Sequence, residues 1–279
     1  MTISRPAAYA DDTSGASSNM VGADRCADEF SKVTAAAGLS LNPAKTQMIV
    51  LGRPLSDQCM TVNGTPVKAS SSISFLGIEL DCALSTTPYL EKLIVECRRR
   101  VGILRLIESR IGRSNLETVV HGLLYGKLSY LLVHCLVVRV DEAEQVSGRA
   151  RKLQVVVNDA LRMVAGVRRA DRVKLTDLRQ DVKLPTVNYV VAREAATAAW
   201  WALASPNGSP LSSIMEELKP DLRTRGASHG LYRMPKDSRN TFVGNMVRVW
   251  NAFPGLAAAK TLAGARSYIR TKIKNALPV

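Results

Sequence analysis

At 279 residues, 46% of them hydrophobic and 22% charged, the chain can bury a sizeable core in about two domains, which excludes a disordered or collagen-like polypeptide. Its net charge of +14 and pI near 9.9 favour a polyanionic partner, because Lys and Arg neutralise phosphates and release counterions, although solvated helix faces can also be basic. Five cysteines, widely spaced and never in Cys-x-x-Cys pairs, argue against a zinc or disulfide framework and for free thiols in a reducing compartment.

The first turn-forming string is Asp11-Asp12-Thr13-Ser14-Gly15, directly after Tyr9-Ala10. Adjacent Asp residues in a strand point to opposite faces, so a tight turn is needed to bring both carboxylates to one site. There they could hold Mg2+, a hard cation that takes oxygen ligands. A solvated acidic turn is the plainer reading of the same residues. Residues 3–8 and 13–18 are poor in branched apolar side chains and include Pro6, which cannot donate to a ladder, so a frayed hairpin is expected. A helix is expected over residues 20–37, closed by Gly38. Short β-like runs follow at residues 46–51, 60–62 and 73–80, with the hairpin signal Val62-Asn63-Gly64-Thr65.

Beyond residue 82 the period becomes helical. Residues 91–111 repeat apolar side chains at Leu93, Cys97, Val101, Leu104, Ile107 and Ile111, spacings of three and four. Ser114-Asn115-Leu116-Glu117 reads as a capping box opening the next helix, and residues 141–144 as the opening of a third that runs through Leu153, Val157, Leu161 and Val164 to Gly166. The most apolar stretch, residues 123–138, is interrupted by Lys127 and His134 and falls short of the roughly 18 apolar residues of a spanning helix. A buried helix is expected there, and no membrane partner. Further helices are expected at residues 176–181, 186–204, 211–218, 241–253 and 260–277, with one irregular stretch at residues 219–240. The fold class is therefore α+β, a small antiparallel part at residues 1–82 followed by helices at 83–166 and 167–279. Charge follows the same division. Residues 1–82 hold 6 Lys/Arg against 8 Asp/Glu, a balance of −2, whereas residues 83–174 hold 17 against 9, or +8, and residues 175–279 hold 15 against 7, again +8.

Three blocks in order carry a resemblance: Tyr9-Ala10-Asp11-Asp12, then Gly38-Leu39-Ser40-Leu41-Asn42-Pro43-Ala44-Lys45-Thr46, then Phe75-Leu76-Gly77-Ile78. From Tyr9 nearly to its end, the chain resembles the C-terminal part of a reverse transcriptase from a non-LTR (LINE-type) retrotransposon. The resemblance implies that Asp11 and Asp12 are catalytic ligands of Mg2+ on the palm hairpin, with Tyr9 among the substrate-binding residues and Lys45 near the incoming triphosphate. It also implies that Phe75 and Gly77 belong to the hairpin that grips the primer end, and that residues 83–166 form the thumb. Family thumbs carry a long helix of the kind expected at residues 91–111, then an Asn-x-x-Leu-Arg pattern, here Asn158, Leu161 and Arg162, and a late Trp-Asn-x-x-Pro, here Trp250, Asn251 and Pro254. The implied partners are an RNA template and a DNA primer, that is, an RNA–DNA hybrid. Arg98, Arg99 and Arg105 are the candidate contacts to its backbone.

The family's palm also needs a further Asp upstream of the turn, and its fingers lie upstream as well, whereas eight residues precede Tyr9 here. The expectation is a truncated polymerase, intracellular in nucleus or cytoplasm and not secreted, that is inactive alone. Other readings of the same residues stay open. The chain could be a non-enzymatic basic nucleic-acid-binding fragment, or a helical protein-interaction module whose charge serves solubility. Lys45 also fits a solvated residue beside a strand, and Arg98-Arg99-Arg100 spreads over about 200° of a helix, so at least one of the three is ordinary surface. Trp200, Trp201 and Trp250 fit core fillers better than base-stacking platforms, and His121, His134 and His229 are assigned no chemistry.

Overall fold

A computed structural model of the chain describes residues 7–9, 12–52, 57–141, 143–144, 146–204, 211–219, 231–235 and 241–277, which divide between two units, Met1–Tyr89 and Leu90–Val279. The fold is α+β, with small sheets near the N-terminus followed by helices.

The first unit is ordered largely by its turns. β1 (Ala7–Tyr9) pairs antiparallel with β2 (Asp12–Ser14), Tyr9 opposite Asp12. α1 (Met20–Ala36) opens where the Asn19 side chain accepts from the Gly22 N–H, and it closes in a Schellman motif. There the Leu39 N–H donates to the Thr34 carbonyl and the Gly38 N–H to that of Ala35, with Gly38 at φ +74° as expected of a closing glycine. β4 (Cys59–Val62) and β5 (Thr65–Ser70) form the expected hairpin, with Asn63 and Gly64 at φ 48° and 77°, the left-handed pair that a two-residue turn requires. β6 (Ser72–Phe75) and β7 (Ile78–Asp81) repeat the device with Leu76 and Gly77 at φ 47° and 77°. One pairing departs from the antiparallel expectation, because β3 (Met48–Ile49) runs parallel to β5. The tight turn fixes β5 antiparallel to β4, and β3 is then met on the far edge of β5 in the order β3-β5-β4. α1 packs on β4, the Thr61 N–H donating to the Asp24 carboxylate at 2.9 Å, over a small core of Ala27, Met48, Val62 and Val67.

In the second unit α2 (Thr87–Ile107) buries Leu93, Cys97, Val101 and Leu104 along one stripe, as the spacing predicts. α3 (Arg113–Val120) runs on through a π turn, His121–Tyr125, into Gly126–Leu128. It opens at Gly112 and not at Ser114, so the expected capping box does not form: Ser114 already lies inside the helix, its carbonyl accepting from the Thr118 hydroxyl. The buried helix expected over residues 123–138 is likewise broken. Leu131 adopts φ 62° and the chain resumes as a single turn, α4 (Leu132–Cys135). The side chain of Asn245, fully buried, completes this break: it donates to the carbonyls of Val133 and Leu136 and accepts from the Val138 N–H, all at 2.7–2.8 Å. Among residues 141–144 the described ones open no helix, Glu144 being drawn into an ion pair with Arg248, and α5 (Gly148–Ala165) begins instead at Ser147, whose hydroxyl accepts from the Ala150 N–H.

α5 ends at Gly166, φ +70°, as the sequence predicts, after burying Leu153, Val157, Leu161 and Val164. α6 (Leu175–Asp181) leads to α7 (Val187–Leu203), whose alanines 192, 195, 196 and 199 are fully buried, so neighbouring backbones can approach closely. α4, α5, α8 (Ser212–Glu217) and α9 (Phe242–Ala252) pack against it. The last helix, α10 (Leu262–Tyr268), continues through a π turn, Ile269–Ile273, into Lys274–Ala276, and buries Ala265, Ile269, Ile273 and Leu277. Of residues 219–240, the described part at 231–235 is irregular and is held by Asn251, whose side chain exchanges two hydrogen bonds with the backbone of Tyr232. Asn188 does the same for Arg139, so three asparagines supply backbone partners where no helix does.

Candidate nucleic-acid interface

The Tyr-x-Asp-Asp string falls at the end of the first hairpin. Tyr9 and Asp12 form its last pair, Asp12 is exposed, and Ala10 and Asp11 between them lie outside the described residues. An exposed carboxylate is an oxygen donor suited to Mg2+. Among the described residues, no three His, Cys, Asp or Glu side chains gather as a metal site. After β2 the chain passes tightly over α1: a Cβ on Gly15 would stand 2.5 Å from the Cys26 sulfur and 3.4 Å from the Phe30 ring.

The second block is a compact turn built on Asn42. Its carbonyl accepts from the N–H groups of Lys45 and Thr46 and from the Thr46 hydroxyl, while its side chain accepts from the Ala44 N–H. Lys45 is thereby held exposed on a fixed backbone. Two bonds tie this turn to both later hairpins: the Asn63 amide donates to the Leu41 carbonyl at 2.8 Å, and the Ser74 N–H donates to the Gln47 side chain at 2.8 Å. The segments of Lys45 and of Phe75 and Gly77 are thus brought together, with Phe75 half-buried and Gly77 exposed at the turn.

Arg98, Arg99 and Arg105 lie on α2 in the other unit. Arg98 and Arg105, seven residues apart, fall within about 20° of one another on the helix and are exposed. Arg99 is exposed too but is bonded to Glu96 at 3.1 Å, and Arg100 turns inward to Glu96 at 2.9 Å and to the Leu123 carbonyl at 2.6 Å. Hydrogen bonds from Arg99 and then Arg100 hold the Glu96 carboxyl down to about 2. Elsewhere on α2, burial pushes the Cys97 thiol up to about 11, which makes it a poor nucleophile.

The aromatic and late-motif residues are structural. Trp200 is buried with its N–H donating to the Ala259 carbonyl, Trp250 stands edge-on to Tyr232, and His134 stacks on Phe242, where desolvation lowers its pKa. Asn158 accepts from Gln154 and from Arg179 and so joins α5 to α6.

A further basic feature was not legible from the sequence. Side chains from α7, α10 and the segment before α7, with His121 of the π turn after α3, line a cleft of about 500 Å³. Lys183, Arg193, Arg266, Arg270 and Lys274 face it, against one carboxylate, Glu194, which Arg193 already engages at 2.8 Å. Its one sequence signal is a doubled four-residue step, Ala265, Ile269, Ile273 and Leu277 inward and Arg266, Arg270 and Lys274 beside them. Among the described residues no helix is long and apolar enough to cross a membrane. Comparison of the chain with family models, with curated proteins and with solved structures gives no match.

Proposed function

We propose that the chain is the palm tail, thumb and helical C-terminal region of an RNA-directed DNA polymerase of the non-LTR retrotransposon type. The observation that carries this reading is the placing of its motifs on turns: Tyr-x-Asp-Asp at the end of one hairpin, Leu-Gly at the turn of another, and the Lys45 turn bonded to the latter through Gln47. Asp11 and Asp12 would hold Mg2+, which in nucleotidyl transfer stabilises the attacking and leaving oxygens. Lys45 would meet the triphosphate, Phe75 and Gly77 the primer end, and Arg98, Arg99 and Arg105 the backbone of the RNA–DNA hybrid. A second reading, a basic nucleic-acid-binding fragment without chemistry of its own, is favoured by the cleft of cations in the second unit.

Primer extension separates the two. A longer polymerase carrying this chain should lose extension on Asp11→Asn or Asp12→Asn. If such an enzyme keeps its activity in both variants, the polymerase reading of the turn fails and the binding reading stands.

A further inference from the structure

The cleft of the second unit is built in a way that a solvated helix face is not. Its cations come from separate elements: Lys183 from the loop after α6, Arg193 from α7, and Arg266, Arg270 and Lys274 from α10. The side chains of Lys183, Arg266, Arg270 and Lys274 make no hydrogen bond or ion pair with any described residue. Like charges gathered on a concave wall repel one another unless an anion enters between them.

The π turn explains how three of these cations share a line. In an unbroken α-helix, residues four apart drift by about 40° at each step, so 266, 270 and 274 would wander across the surface. The extra residue of the π turn at Ile269–Ile273 winds the chain back, keeping Ala265, Ile269 and Ile273 in the core and Arg266, Arg270 and Lys274 along the cleft. Eight residues of helix span about 12 Å, more than a single phosphate can bridge. Tyr189 lines the cleft and is buried, its pKa raised by desolvation beside Arg193 and Arg270, so that its hydroxyl stays a donor.

We propose that this cleft binds the phosphodiester backbone of a single nucleic-acid strand, with successive phosphates on Arg266, Arg270 and Lys274 and with Lys183, from the loop after α6, adding a further cation. A volume of about 500 Å³ suits one strand and not a duplex. Recognition is of phosphates alone and is indifferent to sequence. The inference uses the second unit only and stands or falls apart from the polymerase reading.

The test is fluorescence anisotropy of the full 279-residue chain with a labelled twelve-nucleotide oligo(U), titrated at several salt concentrations. Arg266→Ala/Arg270→Ala/Lys274→Ala should weaken binding about tenfold and lower the salt slope by about two units, near 0.7 per lost single-strand contact. Arg270→Gln alone should lower the slope by under one unit, and keeps the result readable if the triple variant loses its tryptophan fluorescence. Lys272→Ala, which removes a charge from α10 outside the cleft, should leave the slope unchanged. An unchanged slope in the folded cleft variants would overturn the proposal, as would an equal drop for Lys272→Ala. Inorganic triphosphate should compete only as its ionic strength does. Displacement of the oligonucleotide by stoichiometric triphosphate would show a compact phosphate site in place of a strand site.

Discussion

In the first unit four side chains, Ala27, Met48, Val62 and Val67, form the buried cluster, and the path of the chain is set by turns at Gly38, Asn42, Asn63-Gly64 and Leu76-Gly77. The second unit buries an alanine-rich helix among its neighbours and leaves its turns to be closed by asparagines contributed from distant helices. Local backbone chemistry therefore shapes the first unit, and long-range side-chain chemistry the second. Charge follows a related division: the acidic hairpin stands in a unit of small core, and the unpaired cations in a unit rigid enough to hold like charges together.

The sharpest way to break this comparison is at Asn245. Asn245→Ala would leave the carbonyls of Val133 and Leu136 and the N–H of Val138 buried without their partner, a cost of about 3 kcal/mol or more at ~1–3 per orphaned group. For a unit of this size that is a fall of about 6–12 °C in the melting temperature. Calorimetry should show it, and a loss below about 1 kcal/mol would mean that water replaces the side chain and the pin is dispensable.

Changes of a single methyl group or side chain probe the first unit. Gly15→Ala places a Cβ against the Cys26 sulfur and should cost about 1–3 kcal/mol by overpacking, unless α1 slides. Leu76→Asn should do the opposite. Leu76 holds φ 47°, a left-handed conformation that costs an ordinary side chain roughly 1–2 kcal/mol and Asn less, so the variant should gain up to about 1 kcal/mol in urea unfolding. A loss there would show that the leucine side chain, and not the turn, holds the β6–β7 hairpin.

The same contrast explains what could be read in advance. Asn63-Gly64, Gly38 and Gly166 act on their own backbone, and each was legible because the signal and the structure it specifies lie within a few residues. Ser114 failed as a cap because Gly112, two residues earlier, supplied the extended backbone first. The break at Leu131 and the fate of Glu144 depend on Asn245 and Arg248, about a hundred residues away in sequence, and no local pattern records them. Of the candidate site, the turns bearing Asp12, Lys45 and Gly77 were legible for the local reason, whereas the cleft needed a chain folded so that Lys183 and Arg193 meet α10. The parallel pairing of β3 was hidden too, since two residues carry no direction.

Acid gives the smallest effect and tests whether core size decides tolerance. Glu96 in the second unit is held at about 2 by Arg99 and Arg100, and Asp81 in the first is held below its ordinary value by the hydroxyl and N–H of Ser85, with the Ala83 N–H adding to it. A carboxylate with a depressed folded pKa contributes stability that is complete above its unfolded value and lost as pH falls through the folded one. For Glu96 that window runs from 4.5 down to about 2. Its partner Arg99 is largely exposed, so screening leaves a few tenths of a kcal/mol, which a large core absorbs. All three tryptophans lie in the second unit, so their fluorescence should hold between pH 4.5 and 2.5, while hydrogen-exchange protection of the β4–β5 amides declines as Asp81 releases its turn. Glu96→Gln should leave the fluorescence profile nearly unchanged and, by freeing Arg99, strengthen binding to an RNA–DNA hybrid at neutral pH. Tryptophan emission that shifts before the β4–β5 amides exchange would reverse the order and show that ion pairs, and not core size, set the second unit's tolerance.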